Sequence, residues 1–474
     1  MGAPVGKHSE NPLVCEKVGF LTLFSNPFIA NTENRWVVQE VAKSPAAIVV
    51  LGKKEIPWIT MADVTWSLHK AGLLSGFALL EKPEQILDGF QSILLIELVR
   101  RDVIRTSGSK LLELLISTRR YKCMDDRDVI YSQLGVINDL DTYNQPAPPG
   151  SDTETEELYK SLTLSPNYES STEEVYHRFV LMNIIKKKSL LTFSATYIPP
   201  TSPTLNLPSW VPDFSKLDRA NSLMHMRNES ALPFKASKGS ELQARFSNEY
   251  KTLHIKGRII DVITDMNTAQ EEYVPPPEIE EQGKTENWTT EVKSAKHLFH
   301  WFKGCIALFN PSTAPDEGRI YGLTPDRFEV FARTLVCNLS ASGSTPPPDF
   351  AHLVHIFLDV NEDNTAGVKK HLTELTQDAL TVLIDGLLAV EGAMGLRAAG
   401  WCFAVTEGGR SGRVLKNARK GDKVVLFDGG EVPYLLRKRE EGGWTFVASC
   451  YMFGLMDGEG MALDGLVDEE FDIY

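Results

Sequence analysis

The stretch GDKVVLFDGGEVPYLLR, residues 421–437, decides the fold that we predict for the last part of the chain. Two short apolar runs flank a turn of Asp-Gly-Gly, which is the pattern of successive β-strands. Further short strands are predicted in WCFAVTEGG (401–409) and WTFVASCYMFG (444–454), and Glu441-Gly442-Gly443 marks a hairpin before the second of these. Strands at this spacing indicate a small antiparallel sheet or barrel over residues 396–474.

An earlier segment has the alternation of a strand that could join this sheet. TLHIKGRIIDVI, residues 252–263, alternates apolar and polar positions, and we expect it to pair with the C-terminal strands. Residues 288–310, 325–338 and 368–390 carry helical patterns between the two parts. The sequence therefore predicts one small β domain, formed by 252–263 and 396–474, with a helical insertion over 266–395.

The middle of the chain, residues 61–235, is predicted to be mainly helical. In PNYESSTEEVYHRFVLMNII (166–185), Ser171 and Glu174 have the spacing of a capping box, and an apolar stripe follows them. The prolines of LPSWVPDFS (207–215) forbid a helix and frame Trp210, which we expect to be a packing anchor. Residues 141–158 are rich in proline, glycine and acids, and are predicted to be a linker.

Near the start, NRWVVQEVAKSPAAIVVLG (34–52) predicts a helix, a proline turn and a buried strand. Thr32 or Asn34 could cap the helix, and Trp36 and Glu40 share one helix face at i, i+4. A buried parallel strand needs neighbouring strands, and the preceding residues contain no strong strand pattern. We therefore expect residues 1–60 to be the last part of a larger α/β domain.

Composition narrows the classes of function. The 474 residues predict two or three domains. The net charge of −14 argues against a nucleic-acid binder, because phosphate contacts need clustered lysine and arginine. Basic runs at 186–188 and 437–439 are expected to be a solvated helix face and a hairpin edge. The apolar runs are shorter than the roughly 20 residues of a membrane span.

Other site signals are weak. Six cysteines without a C-x-x-C pair are typical of reduced thiols, and we expect a cytoplasmic protein. His297 and His300 lie at i, i+3, but no carboxylate or cysteine is placed to complete a metal site with them. We therefore predict no bound metal, and motifs of a serine or cysteine nucleophile such as G-x-S-x-G are absent from the sequence.

Five blocks in series resemble the fungal heterokaryon incompatibility (HET) proteins. They are RWVVQEV (35–41), DRDVIYSQLGV (126–136), NYESSTEEVYHRF (167–179), LPSWVPDFS (207–215), and GDKVVLFDGGEVPYLLR (421–437) with YMFGLMDGEG (451–460). Asn167 and Phe214 stand where the family usually has Asp and Trp. The opening blocks of the HET domain have no counterpart in this sequence. The resemblance therefore implies an N-terminally truncated member, through either a late start of the gene model or a natural truncation.

The resemblance implies an α+β fold with three parts. They are the remnant of a HET domain similar to the Toll/interleukin-1 receptor (TIR) fold, a helical middle region, and the small C-terminal β domain. In TIR enzymes a helix with a Trp-Cys-x-x-Glu pattern helps to cleave the nicotinamide–ribose bond of NAD. Trp36 and Glu40 keep that spacing, so Glu40 becomes a candidate catalytic residue and Trp36 a candidate ligand-binding residue. Burial beside Trp36 would raise the pKa of Glu40.

Three functions remain open at this point. The first is a role in fungal non-self recognition and programmed cell death signalling without a complete effector domain, with other proteins of that pathway or a second copy as partners. The second is an NAD-cleaving hydrolase that uses Glu40 if the missing N-terminal half is supplied. It needs NAD as its substrate and no cofactor. The third is a family member with no function left, although its caps, turns and apolar periods are still consistent with folding.

Overall fold

The computed structural model describes most of the chain. The described residues are 35–51, 53–70, 83–101, 110–119, 121–137, 140–195, 197–199, 203–217, 223, 234–269, 290–310, 320–340, 343–361, 386, 390 and 400–474. The predicted cap at Thr32 or Asn34 lies outside them, and so does nearly all of the predicted helix at 368–390, of which residues 386 and 390 are helical.

The chain divides into two units. The first comprises Met1–Thr106, Glu113–Asp141 and Ser165–Tyr168, and the second comprises Ser107–Leu112, Thr142–Leu164 and Glu169–Tyr474. The boundaries predicted at residues 60 and 235 stay predictions. None of the described helices is both long enough and apolar enough to cross a membrane.

The first unit is built around a long helix. Its elements begin with α1 (Arg35–Lys43), β1 (Ile48–Leu51), β2 (Lys54–Pro57), α2 (Trp58–Lys70) and α3 (Pro83–Arg100). Helix α3 binds the other two helices through polar side chains. Arg100 donates a hydrogen bond to the carbonyl of Val41 in α1 (2.9 Å), and the indole N–H of Trp58 in α2 donates to Glu97 (2.8 Å). These bonds fix where α1 lies.

The expectation of a buried parallel strand at 46–52 is wrong. Strand β1 pairs antiparallel with β2, so that Ile48 lies opposite Pro57 and Leu51 opposite Lys54. Ile48 and Val50 are 60% and 57% exposed. The apolar run thus finds its hydrogen-bond partner in the next few residues of the chain, and a two-stranded ladder leaves much of the side-chain surface in water. Whether the surrounding domain is TIR-like stays a prediction.

The predicted linker is partly helical. Four helices follow α3, namely α4 (Lys110–Ser117), α5 (Asp128–Tyr131), α6 (Leu140–Tyr143) and α7 (Thr153–Ser161), and α7 covers the end of the linker at 141–158. Asp152 caps α7 by accepting a hydrogen bond from the N–H of Thr155 (2.7 Å). Acidic residues in the first turn of α7 also interact favourably with the helix dipole. The acidic composition of the segment predicts a linker, although these acids favour a helix.

Lys186 does not belong to a solvated helix face, contrary to the prediction. Its ammonium group lies 2.6–3.2 Å from four main-chain carbonyls, those of Tyr143, Gln145, Tyr159 and Leu162. Two of these carbonyls close the ends of α6 and α7, where a cation is favourable. Burial lowers the pKa of Lys186.

The predictions for the next helix are confirmed. Helix α8 (Thr172–Ile185) begins with a capping box between Ser171 and Glu174, and its apolar stripe is buried. Phe179 of this stripe packs on Phe214 with ring centroids 5.4 Å apart. Trp210 is fully buried, as an anchor should be, and its indole N–H donates to the carbonyl of Lys251 (3.2 Å).

A nine-stranded sheet forms the core of the second unit. Its strands are β3 (Ala244–Ser247), β4 (Thr252–Met266), β5 (Trp401–Thr406), β6 (Ser411–Leu415), β7 (Lys423–Phe427), β8 (Tyr434–Lys438), β9 (Trp444–Ser449), β10 (Tyr451–Met452) and β11 (Glu469–Ile473). The first half of β4 pairs with β11, which touches β9, and β9, β8 and β7 then lead back to β4. These pairings close a ring of five strands. The last residues of β4 pair with β5, which continues into β6 and β10.

Among the described residues between β4 and β5 are three further helices, and the predicted bounds of the insertion stay a prediction. These helices are α9 (Thr290–Phe309), α10 (Pro325–Leu335) and α11 (Phe350–Asn361). Their apolar faces share one core with Phe403 of β5. Arg413 of β6 is buried against them. It donates to the carbonyls of Leu335 (2.8 Å) and Trp401 (2.9 Å), and its guanidinium lies 5.0 Å from the ring of Trp301.

Substitution of Gly257 tests whether the five strands form a closed ring. It lies opposite both Phe427 of β7 and Glu469 of β11, and a Cβ atom there would come within 2.4 Å of the carbonyl oxygen of Leu426. We expect Gly257→Ala to lower the free energy of unfolding by about 1–3 kcal/mol, because main chain must shift. In contrast, a Cβ atom at Gly304 in α9 meets no atom within 4 Å, so Gly304→Ala should stabilise by up to ~1 kcal/mol. The free energies of unfolding of both variants can be measured in urea. Equal changes in the two variants would contradict the closed ring.

Candidate functional site

Helix α1 carries both residues that the sequence singled out. Arg35 and Val38 form its buried face, Trp36 is half-buried and Glu40 is exposed. Glu40 is therefore not buried beside Trp36, and lies where a helix-surface glutamate lies. Four residues on a helix span about 40° more than one full turn, so two side chains at this spacing can differ in burial although they are neighbours.

The carboxylate of Asp128 in α5 holds Trp36. The indole N–H donates to one oxygen of Asp128 (3.0 Å), and the hydroxyl of Tyr168 donates to the other (2.6 Å). The hydrogen bond to Asp128, together with burial, raises the pKa of Tyr168 to about 12. Arg127 lies over the ring of Tyr168 at 5.1 Å and pairs with Asp125 (2.7 Å). Trp36 thus takes part in a polar network that packs α1 on residues 125–128.

Two further contacts fix the same helix. The buried guanidinium of Arg35 donates to the carbonyls of Tyr121 (3.1 Å) and Val129 (3.3 Å). Gly135 lies so close to Gln39 that a Cβ atom at Gly135 would come within 2.4 Å of the amide of Gln39. Packing alone therefore accounts for much of the RWVVQEV and DRDVIYSQLGV blocks. The catalytic role of Glu40 and the ligand-binding role of Trp36 stay predictions.

The second unit contains a groove between the inserted helices and the sheet. It has a volume of about 540 Å³ and lies where the end of α9 and the start of α10 face the ends of β4 and β5. The polar side chains in its wall are Thr264, Asn310, Thr324, Arg327 and Thr406, and Leu308, Phe309 and Val405 are among its apolar ones. Arg327 lies 4.5 Å from the ring of Phe309. An apolar wall with a few hydroxyls and one cation suits a short peptide segment with polar or acidic groups.

One wall of this groove is held by a buried acid. Asp261 of β4 accepts hydrogen bonds from the N–H of Gly408 (3.0 Å), the hydroxyl of Thr406 (2.8 Å) and the guanidinium of Arg410 (2.8 Å). Burial by itself raises the pKa of Asp261, but these hydrogen bonds outweigh it and the pKa lies below its usual value. The β5–β6 turn is thus fixed to β4.

Sequence reasoning missed one chemically distinctive group. Ser247, His254 and Asp472 are joined by hydrogen bonds on three adjacent strands, although 218 residues separate His254 from Asp472. The only signal in the sequence is that polar residues alternate along these strands. Of the two histidines that the sequence singled out, the side chain of His297 lies outside the described residues, and His300 is half-buried.

The comparisons with known proteins point to the C-terminal sheet. Residues 359–470 match the family model described as the Het-6 beta-barrel domain. This match suggests a protein related to heterokaryon incompatibility. Neither the curated proteins nor the solved structures include a match to the chain. The matched range runs from the end of α11 to the first two residues of β11, so it includes β7, β8 and β9 of the closed ring but not β4.

Titration of Tyr168 tests the network around Trp36. We expect its hydroxyl to titrate at about 12, measured as the ultraviolet difference between the protein and its Tyr168→Phe variant. In Asp128→Asn the neighbouring negative charge is gone, so the pKa should return toward the usual value of about 10. Asp141→Asn, an exposed change elsewhere in the chain, serves as the control and should leave the pKa unchanged. A value near 10 in the unaltered protein would rule out the Asp128 contact.

Acid unfolding tests the role of Asp261. Because its folded-state pKa is depressed, the stability it contributes is present above the unfolded-state pKa of about 3.9 and is lost as pH falls through the folded value. At pH 7, Asp261→Asn should cost about 1–3 kcal/mol, and the difference from the unaltered protein should shrink below about pH 4. Asp265→Asn breaks an exposed pair with Lys420 on the same strand, and should cost less than ~1 kcal/mol. Equal costs in urea unfolding would contradict the proposed role.

Proposed function

We propose that this chain acts in fungal non-self recognition, as a heterokaryon-incompatibility-type protein of programmed cell death signalling. Its C-terminal sheet and the inserted helices bind a protein of that pathway, and this binding regulates the response. The match of residues 359–470 to the Het-6 beta-barrel domain carries the proposal. The groove beside Arg327 supports it, because it offers a partner segment an apolar wall together with hydroxyl groups and a cation.

Acidic peptide segments suit this groove best. Arg327 is exposed and contributes the positive charge, and Thr324 at the start of α10 contributes a hydroxyl, whereas the hydroxyl of Thr264 already donates to the carbonyl of Val405 (3.1 Å). The side chain of Phe309 lies beneath the guanidinium of Arg327 and presents an apolar surface. A segment with one carboxylate next to an apolar residue would satisfy both features.

Cleavage of NAD is the alternative function. It is favoured by the i, i+4 spacing of Trp36 and Glu40 on α1, with the carboxylate of Glu40 exposed and accessible to a ligand. Glu40 would act there by stabilising the positive charge that develops on the ribose as nicotinamide leaves. Trp36 would contact the ligand only with the part of its ring that is not engaged with Asp128.

Controlled expression in a filamentous fungus tests the proposal. We expect expression of the chain to arrest growth and to admit a vital dye, and Arg327→Ala to weaken this response at least fivefold because the groove loses its cation. Lys303→Ala is the matched control. It removes a basic side chain that lies over Phe299 of α9, as Arg327 lies over Phe309, but outside the groove. A response that both variants retain in full would contradict binding at the groove.

The NAD content of the same cells separates the two functions. Under the proposal, NAD stays constant as the cells die, and Glu40→Ala kills as well as the unaltered chain. A fall of NAD that Glu40→Ala prevents, with NAD hydrolysis by the purified chain, would establish the alternative instead. If expression neither arrests growth nor consumes NAD, both functions are wrong for this chain.

A further inference from the structure

Three neighbouring strands place a serine, a histidine and an aspartate on one face of the sheet. His254 of β4 lies directly opposite Arg245 of β3 on one side and Asp472 of β11 on the other. Ser247 is two residues after Arg245 in β3 and therefore points to the same face. The sheet register alone thus brings these side chains within reach of one another.

The hydrogen bonds follow the order that activates a nucleophile. The hydroxyl of Ser247 lies 2.7 Å from Nε2 of His254, and Nδ1 of the same ring lies 2.6 Å from a carboxylate oxygen of Asp472. A neutral imidazole that donates its Nδ1–H to Asp472 and accepts the Ser247 proton at Nε2 satisfies both bonds. A hydroxyl, a base that can accept its proton, and a group that orients the base are the parts that nucleophilic catalysis requires.

A metal site is the competing interpretation of this cluster. Single ligand atoms of His254, Glu470 and Asp472 lie within 4.8 Å of one another. However, both carboxylate oxygens of Glu470 accept hydrogen bonds from Arg245, at 3.0 and 2.5 Å. The guanidinium therefore neutralises Glu470 and repels a second cation. Asp472 is left as the carboxylate that serves the histidine, which favours proton transfer over metal binding.

Ser247 is more accessible to solvent than His254, and hydrogen bonds hold the turn between their two strands. Ser247 is exposed at the tip of the β3–β4 hairpin, whereas only 9% of His254 is exposed. Two hydrogen bonds fix the hairpin turn between β3 and β4. The ring of His177 donates to the carbonyl of Tyr250 (2.7 Å), and the indole N–H of Trp210 donates to the carbonyl of Lys251 (3.2 Å). A substrate can thus reach the hydroxyl while the base stays shielded.

We propose that Ser247 is a nucleophile that takes acyl groups from small, unhindered carboxylic esters, with His254 as its base and Asp472 as a positioning residue. The Oγ–H bond of Ser247 breaks, its proton passes to Nε2 of His254, and Oγ bonds to the acyl carbon. When the tetrahedral adduct collapses, the bond to the leaving alkoxide breaks and Nε2 returns the proton to it. Water then attacks the acyl-serine in the same way, releasing the carboxylic acid and restoring Ser247. This activity is independent of the function proposed above.

A fluorophosphonate probe tests the proposal on the full chain. The probe forms a bond from phosphorus to an activated serine and loses fluoride, while the serine proton goes to the base. We expect mass mapping to find the label on Ser247 and not on Ser161, an exposed serine whose hydroxyl donates only to the carbonyl of Leu158. Absence of label on Ser247 in the unaltered protein, or equal labelling of the two serines, would overturn the proposal without any variant.

Variants then test the roles of the partners. His254→Gln should slow labelling of Ser247 by about 10²-fold or more, the usual contribution of a general base. Asp472→Asn should slow it as well, whereas Asp472→Glu should restore part of the rate, a rescue that a purely structural role would not give. Ser161→Ala should change nothing. If His254→Gln labels at the unaltered rate while keeping its thermal unfolding midpoint, Ser247 is not activated and the proposal is wrong. If that variant does not fold, hydrolysis of p-nitrophenyl acetate by the unaltered chain decides, because Ser247→Ala should abolish it.

Discussion

The buried carboxylate of Asp261 is the interaction on which the architecture of the second unit depends. The first half of strand β4 pairs within the closed ring, and its last residues pair with β5. The pairing register shifts between Ile259 and Asp261 and again between Ile263 and Asp265. Such irregularities bend a strand and re-aim its side chains. Asp261 lies at the first of these irregularities. Its buried carboxylate accepts hydrogen bonds from Thr406, Gly408 and Arg410. Without this acid, Thr406, Gly408 and Arg410 would lose the carboxylate that fixes the β5–β6 turn to β4.

One strand therefore connects two surfaces of different chemistry. His254 lies near the start of β4 and Thr264, which lines the groove, lies near its end, ten residues and about 30 Å further along an extended strand. Both surfaces depend on the bent course of β4. Arg413 reinforces the arrangement from β6, because its guanidinium ends α10 at the carbonyl of Leu335 and so keeps the inserted helices on the sheet. A defect in the bend would be expected to disturb the groove first, since Asp261 and Thr406 are directly bonded.

Local patterns allowed much of the fold to be predicted, and the expected pairing of 252–263 with the C-terminal strands is confirmed, but the register of these strands and most side-chain partners could not be predicted. The capping box of Ser171 and Glu174, the glycine-rich turns and the strand at 252–263 are each encoded within a few residues, and the structure confirms them. The predicted burial of β1 failed because a strand's burial depends on which partner it finds, and β2 is only two residues away. Lys186 was misjudged because its four carbonyl partners come from other segments. The Ser247, His254 and Asp472 cluster could not be found, since only the closed ring brings β11 beside β4.

The interpretation of Trp36 and Glu40 depends on separating packing from chemistry. Trp36 bonds to Asp128, which also holds Tyr168, so replacing Trp36 would loosen α1 whatever its other role. A loss of function in such a variant would therefore say little about ligand binding. Glu40 is exposed on the same helix, and its replacement should leave the packing of α1 intact. The effect of replacing Trp36 is thus ambiguous, whereas the effect of replacing Glu40 is informative. Of these two residues, only Glu40 can decide between NAD cleavage and the binding role.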